Sequence, residues 1–212
     1  MNITEIFYSI QGESTYAGLP CVFIRTSGCN LSCSYCDTDY ANSESTEYSI
    51  EKIIKTINTF AHTHLVEITG GEPMLQPDIY DLFKELKKND FDILLETNGS
   101  INLKSVPEYV CKIIDIKTPS STHKDSFHPD NLKYFNPNKD NIKFVIGNTE
   151  DYDWMRDFLN KNQLFGYNIL ASTVFSKIEP KIIVKKILED GLNIRFQLQL
   201  HKYIWETNSR GV

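Results

Sequence analysis

The chain has 212 residues, 41% of them hydrophobic and 24% charged, with a formal net charge of -6 and five cysteines. That length suits one large domain or two small ones and is ample for a hydrophobic core. The acidic balance argues against a broad nucleic-acid footprint, no apolar run approaches a membrane span, and the start Met1–Glu5 lacks the basic and apolar regions of a leader, so the expectation is a cytosolic protein with a small substrate, in which cysteines serve metal or catalysis rather than disulfides.

In chain order, β-branched and aromatic runs predict strands at Ile3–Phe7, Val22–Thr26, Leu65–Thr69, Ile93–Thr97, Val110–Ile116, Ile142–Ile146 and Ile194–Leu200, with a weaker one at Tyr167–Leu170. Amphipathic stretches lie between them. Ser49 caps a helix with Ile50, Ile53, Ile54, Ile57 and Phe60 on one face. Pro77 and Asp78 open another, with Ile79, Leu82, Phe83 and Leu86 inward. A third covers Asp151–Asn160 with Met155, Phe158 and Leu159. A fourth covers Pro180–Asp190 with Ile183, Val184, Ile187 and Leu188, stopped by Gly191. This βαβα order implies an α/β fold, a mainly parallel sheet covered by helices, as a single domain over 1–212. The segment Pro119–Asn141 is long and polar, and mobility is expected there.

In such sheets ligands sit beyond the carboxyl ends of the strands. Four polar motifs fall there: the run Cys29-Asn-Leu-Ser-Cys33-Ser-Tyr-Cys36, then Thr69-Gly-Gly-Glu72-Pro, Glu96-Thr-Asn98-Gly, and Asp115-Ile-Lys-Thr118-Pro119-Ser120. The C-x3-C-x2-C spacing supplies three thiolates, and no fourth cysteine follows nearby. A zinc site wants a fourth ligand, whereas a [4Fe–4S] cluster on three thiolates keeps one iron open for a small molecule. Gly70 and Gly71 let backbone approach a ligand, and Glu72 or nearby carbonyls can accept from an ammonium group. Cys21 and Cys111 sit in or beside strand patterns and read as packing residues. His62, His64, His123 and His128 read as surface.

The cysteine run followed by Gly-Gly-Glu-Pro resembles the radical S-adenosylmethionine (SAM) superfamily. Its members bind SAM on the open iron and break a carbon–sulfur bond to release a 5′-deoxyadenosyl radical. The segments Phe7–Ser14, Gly18-Leu-Pro20, Phe23-Ile-Arg25, Gly28–Leu31, Cys36-Asp-Thr38 and Gln199-Leu-His201-Lys202 narrow the resemblance to the 7-carboxy-7-deazaguanine synthase family, over about residues 6–203.

The resemblance implies a partial, open (β/α) barrel. It implies a carbon–nitrogen lyase that takes 6-carboxy-5,6,7,8-tetrahydropterin to 7-carboxy-7-deazaguanine in the queuosine precursor pathway. The radical would abstract hydrogen from C6, the ring would contract, ammonia would leave, and SAM would be regenerated. Cys29, Cys33 and Cys36 would hold the [4Fe–4S] cluster. Tyr35, Cys36, Asp37, Gly71, Thr118, Pro119 and Ser120 would contact SAM, although the lysine expected at the third position of the last segment is Ser120 here. Glu96 and Asn98, at a strand end, suit the SAM ribose. Ile10, Gln11, Gly12, Glu13, Arg25, Thr69 and His201 would meet the substrate, the guanidinium fork of Arg25 suiting its carboxylate. Thr38 would ligate Mg²⁺, with substrate and waters supplying most of its six oxygens. An electron donor such as flavodoxin or ferredoxin and a homodimer are further expectations. Two other readings compete: an activating enzyme that generates a glycyl radical on a protein partner, and a non-catalytic iron–sulfur or zinc module. The tail Trp205–Val212 runs past the point where several relatives stop.

Overall fold

Polarity alternating along nearly every strand shapes this molecule, described by a computed structural model over residues 1–60, 63–206 and 209–212. The strands are β1 (Asn2–Ile10), β2 (Pro20–Thr26), β3 (Thr46–Glu47), β4 (Leu65–Gly70), β5 (Asp92–Thr97), β6 (Cys111–Asp115), β7 (Asn141–Ile146), β8 (Asn168–Thr173) and β9 (Arg195–Phe196). They form one open sheet in the order β3-β1-β2-β4-β5-β6-β7-β8-β9. The pairs from β2 to β9 are parallel. The helices are α1 (Ile50–Ile57), α2 (Ile79–Lys88), α3 (Thr149–Asn162), α4 (Pro180–Glu189) and α5 (His201–Ile204). No helix among the described residues is long and apolar enough to cross a membrane.

Successive side chains of a strand point to opposite faces. Outward residues such as Val22, Ile24, Val66, Ile68, Ile93, Leu95, Ile142 and Phe144 pack under α1–α4 in one large core with Ile53, Leu82, Phe83, Leu86, Met155 and Ile183. Inward residues line a lumen. Its floor is a separate apolar cluster of Phe7, Cys21, Phe23, Leu65, Leu94, Cys111 and Ile113, with Phe7 and Phe23 stacked at 4.9 Å. Two residues further along, the inward positions turn polar: Arg25, Glu67, Glu96, Asp115 and Lys143 line the cleft above that floor.

Several expectations hold. Ser49 caps α1 by accepting the Lys52 N–H at 3.1 Å, and Gly191 follows α4 with φ +61°. Others are corrected. The first strand pair is antiparallel, because the 11–19 connection is too short for a parallel crossover. No α-helix separates β5 from β6 or β6 from β7; single-turn 3₁₀ segments, Pro119–Ser121 and Pro129–Tyr134, occupy the second gap. That gap, expected to be mobile, is tied down: buried Asn131 donates to the carbonyls of Gly99 and Ile101 and accepts the Leu103 N–H, all at 2.9 Å. Helix α1 ends before Phe60, and Leu188 on α4 is 74% exposed rather than inward. The expected strand 194–200 pairs only over Arg195–Phe196, and His201 opens α5 instead of closing a strand. His62 lies outside the described residues.

Candidate active site

The lumen opens into a cleft of about 820 Å³ at the carboxyl ends of the strands, within the range of small-molecule sites. All three clustered cysteines line it, together with Tyr35, Asp37, Thr38, Gly71, Asn98 and Glu96, and with Ile10, Gln11, Gly12, Glu13, Arg25, Thr69 and His201. Sixteen of the twenty expected site residues thus face one space. The exceptions are Glu72 and the segment Thr118–Ser120, with Cys36 counted once.

The cysteine loop leaves β2 after Thr26 and is stitched to the segment after β6. Ser34 Oγ donates to the Ser120 carbonyl at 2.7 Å, Ser34 N donates to the Ser121 carbonyl at 3.2 Å, and Ser32 N donates to His123 Nε2 at 3.1 Å. His123, read as surface from the sequence, therefore holds this loop. From beneath, Gly71 N donates to the Thr26 carbonyl and Glu72 N to the Gly28 carbonyl. A Cβ on Gly71 would collide with that Gly28 carbonyl. The glycines of the Gly-Gly-Glu-Pro turn thus bring backbone against the cysteine loop itself, rather than only against a ligand.

Glu72 is a correction. Its carboxylate is fully buried and faces away from the cleft. It accepts from Thr97 Oγ1 at 2.7 Å, Asn98 N at 2.8 Å and Met74 N at 3.0 Å. Burial pushes this carboxyl up, against those three hydrogen bonds. Its oxygens are spent tying two strand ends together.

The segment Thr118–Ser120 is a second correction. Thr118 is buried, donating to the Val145 carbonyl at 3.0 Å. Ser120 turns to Asp151 at the start of α3, taking that carboxylate by its N–H at 2.8 Å and by its hydroxyl. The cleft is lined instead by Asp115 and Lys117, paired at 2.9 Å. Lys117, three residues before Ser120, lines the cleft. Burial opposes the charge of Lys117, but Asp115 with Cys33 and Tyr35 raises its pKa above the usual lysine range.

The polar layer is built around Lys143. Its ammonium lies 2.6 Å from both Glu13 and Glu96 and 3.9 Å from Asp115. Glu13 also accepts from Gln199 at 2.9 Å. Thr69 Oγ1 donates to Glu96 at 3.4 Å. Gln11 is nearly spent internally. Its N–H and carbonyl are used by Leu19 and Gly18, its amide oxygen accepts Glu13 N at 2.6 Å, and its amide nitrogen donates to Glu67. An amide nitrogen carries two hydrogens, so one is left for a ligand. Gly12 is required by His201: a Cβ there would sit 2.5 Å from His201 Nδ1. Burial holds His201 below the usual histidine range, against the pull of Glu13. Arg25 gives only Nε to protein, to Glu5 at 2.8 Å, so among the described residues both Nη groups stay free for a carboxylate. Asn98 points its amide at Cys29 Sγ (3.8 Å) and Asn30 (3.1 Å), supporting the cysteine loop rather than reaching outward.

Sequence patterns did not single out Glu67 or Lys143, and they placed Asp115 and Lys117 in a strand-end motif without giving either a role. Their signal is a lone charged residue inside an otherwise apolar parallel strand or just past its end. The tail also returns to the cleft: Ser209–Val212 line its mouth, and Arg210 clasps Glu44 at 2.8 and 2.9 Å while covering the Tyr40 ring at 3.9 Å.

The thiols fit an iron–sulfur cluster better than a single ion. Cys29, Cys33 and Cys36 all line the cleft, and each thiolate of a cubane takes its own iron. Leu31 N donates to Cys29 Sγ at 3.4 Å, and the Asn98 amide approaches it. Such N–H donors stabilise charge on a ligating sulfur.

Residues 23–161 match the radical SAM superfamily. The chain is 38% identical to a 7-carboxy-7-deazaguanine synthase of Koribacter versatilis, covering all of both chains. It is 40% identical to the enzyme of that name from Chlorobaculum tepidum, covering all of this chain and 97% of the other. In fold it is similar to the crystal structure of QueE from Escherichia coli, with a TM-score of 0.78, 94% of each chain covered and 22% identity.

Proposed function

The chain belongs to the 7-carboxy-7-deazaguanine synthase family of the radical SAM superfamily, and from that premise we propose that this cleft converts 6-carboxy-5,6,7,8-tetrahydropterin to 7-carboxy-7-deazaguanine with loss of ammonia. The observation that carries this reading is the convergence of the three-cysteine loop, the Gly-Gly turn and the charged lumen layer on one cleft. When bound, the [4Fe–4S] cluster and SAM would supply the one-electron chemistry, in which a hydrogen atom is taken from the substrate C6 and one is given back only after the ring has rearranged. Everything else is binding and orientation by this chain.

Cys29, Cys33 and Cys36 would hold the cluster, with Asn98 and Leu31 N–H directed at Cys29. Tyr35, Asp37, Gly71, Asp115 and Lys117 would frame SAM. Tyr35 is fixed by its hydroxyl near Thr118 and the Val145 carbonyl, each at 3.4 Å. The free Nη groups of Arg25 suit the substrate carboxylate. Glu13, the spare Gln11 hydrogen, Thr69 and His201 surround the space left for the pterin ring. Thr38 lies beside Cys36, and its hydroxyl would share a Mg²⁺ with substrate oxygens and waters. A flavodoxin- or ferredoxin-type electron donor, a homodimer and a cytosolic setting complete the proposal. The cleft of about 820 Å³, within the range of small-molecule sites, favours a small substrate over the protein partner of a glycyl-radical activating enzyme.

The test is an anaerobic assay with reductant, SAM and carboxytetrahydropterin, read by product mass. The deazaguanine mass is expected, in higher yield with Mg²⁺, and Thr38→Ala blunts that metal response. No such product from cluster-loaded protein would reject the reading, and equal metal dependence in both proteins would remove Thr38 from it.

A further inference from the structure

We propose that Tyr40 and Arg210 are positioning residues for Arg25, joined to it through Glu5, and that together they aim its guanidinium at the substrate carboxylate. Arg25 and Glu5 face each other across the β1–β2 register, and Arg25 Nε donates to Glu5 Oε1 at 2.8 Å. The same oxygen accepts the Tyr40 hydroxyl, also at 2.8 Å. One carboxylate oxygen thus takes both donors, and the place where Tyr40 holds it sets the place where Arg25 meets it. Arg25, Tyr40 and Arg210 all line the cleft.

Tyr40 is held from two sides. Its own turn is pinned to the start of the cysteine loop: the carbonyl of Ala41, the next residue, accepts Gly28 N and Ser27 Oγ, both at 2.9 Å. Its ring is covered by Arg210, whose guanidinium carbon lies 3.9 Å from the ring centroid and whose Nη1 donates to both Glu44 oxygens at 2.8 and 2.9 Å. Glu44 is fixed in turn, its N–H donating to the Tyr40 carbonyl at 2.9 Å and its carbonyl accepting Thr4 Oγ1 at 3.0 Å. Gly211, at φ +67°, brings the tail against Phe7, whose ring lies 5.6 Å from the Arg25 guanidinium. The Arg210 and Glu44 side chains are both 51% exposed, whereas those of Arg25 and Glu5 are 14% and 19% exposed. An ion pair as open as the outer one shifts a folding equilibrium by about fivefold at most, so it adds little to the fold. Its effect is local: Glu44 orients the planar cation, and the cation over the Tyr40 ring keeps the phenol from turning off Glu5. Without that hydroxyl, Glu5 and Arg25 are free to change rotamer as a pair.

The effect on substrate rests on the functional reading above; the ordering of Arg25 does not. Both are read on the cluster-loaded protein under anaerobic conditions. Without substrate, proton–nitrogen NMR of arginine-labelled protein follows hydrogen exchange at the Arg25 Nε–H, a signal identified by its absence from Arg25→Lys. That exchange should be about tenfold faster in Tyr40→Phe, which loses a hydrogen bond to a charged group, and about threefold faster in Arg210→Gln. Binding is then titrated with two ligands, carboxytetrahydropterin and a tetrahydropterin that lacks the carboxylate. Tyr40→Phe should weaken the first about tenfold and Arg210→Gln about threefold, while affinity for the second holds. In an Arg25→Ala background neither change should weaken binding further, the signature of residues that act through Arg25. Equal weakening of both ligands, losses additive with Arg25→Ala, or unchanged exchange at Arg25 in both variants would overturn the proposal. If Tyr40→Phe fails to fold, Arg210→Gln on the exposed side carries the same test. Wild type that binds neither pterin, with Arg25 exchange faster in the variants, would support the positioning and overturn the functional reading.

Discussion

Arg25 shows how one side chain can serve the fold and a ligand at once. Its Nε pairs with Glu5 across the β1–β2 register and its guanidinium lies 5.6 Å from the Phe7 ring. That ordering is done by the sheet, so a carboxylate meeting the free Nη groups pays little side-chain entropy. Burial opposes its charge, while Tyr40, Glu5 and Asp37 sustain it. Arg25→Ala should weaken carboxytetrahydropterin binding by about 1.5–3 kcal/mol, the range of a charged hydrogen bond, measured by anaerobic titration; unchanged affinity would remove Arg25 from the substrate site. Glu72 makes the opposite point. It stands in the most recognisable motif after the cysteines, yet its carboxylate is a buried strut. Sequence places a residue at a strand end but does not say which way its side chain turns once three donors compete for it.

At the scale of elements, the Gly-Gly turn after β4 is the bed on which the cysteine loop rests. Gly71→Ala would drive a methyl group into the Gly28 carbonyl, and backbone on both sides leaves little room to relax. The expected outcome is reduced iron content after anaerobic reconstitution, with most of the apoprotein melting transition kept, since α1–α4 and their core are untouched. Full iron uptake by the variant would contradict this. The strands and four longer helices were legible because apolar periodicity is a local property. The antiparallel start and the truncated β9 were less so, since pairing direction and strand length depend on connection length and on neighbours far along the chain. The cysteine loop, the Gly-Gly turn and the strand-end rim were legible for the same local reason. The lone charges Glu67 and Lys143 were not, because a single charge inside an apolar strand acquires meaning only when adjacent strands set it beside its partners. The segment after β6 belongs here too: motif spacing fixed the neighbourhood, and the turn into Pro119–Ser121 left Asp115 and Lys117, not Thr118–Ser120, facing the cleft.

For the molecule as a whole, the lumen places ionisable groups between an apolar floor and an open mouth, which links stability to pH from both sides. Burial works against the charge of Glu96, but Lys143 overcomes it and lowers the carboxyl to about 2. A lowered folded-state pKa means that the unfolded chain binds the proton first. The stability Glu96 contributes is therefore present above the unfolded glutamate value of about 4.3 and lost as pH falls toward about 2. Glu67, raised well above its usual value, has the opposite sign: its share is complete in acid and lost as pH rises through its folded-state pKa. Denaturant midpoints of wild type should fall as pH drops from 5 toward 3, and Glu96→Gln should flatten that slope. An equal slope in both proteins would mean that other carboxylates carry the acid limb.

The stitches from Ser32 and Ser34 to His123, Ser120 and Ser121, together with the Gly28 carbonyl held by Glu72 N, anchor the backbone that carries the three thiols to two other strand ends. The fold thereby bears part of the cost of ordering that loop, a cost that falls on the metal where no such anchors exist.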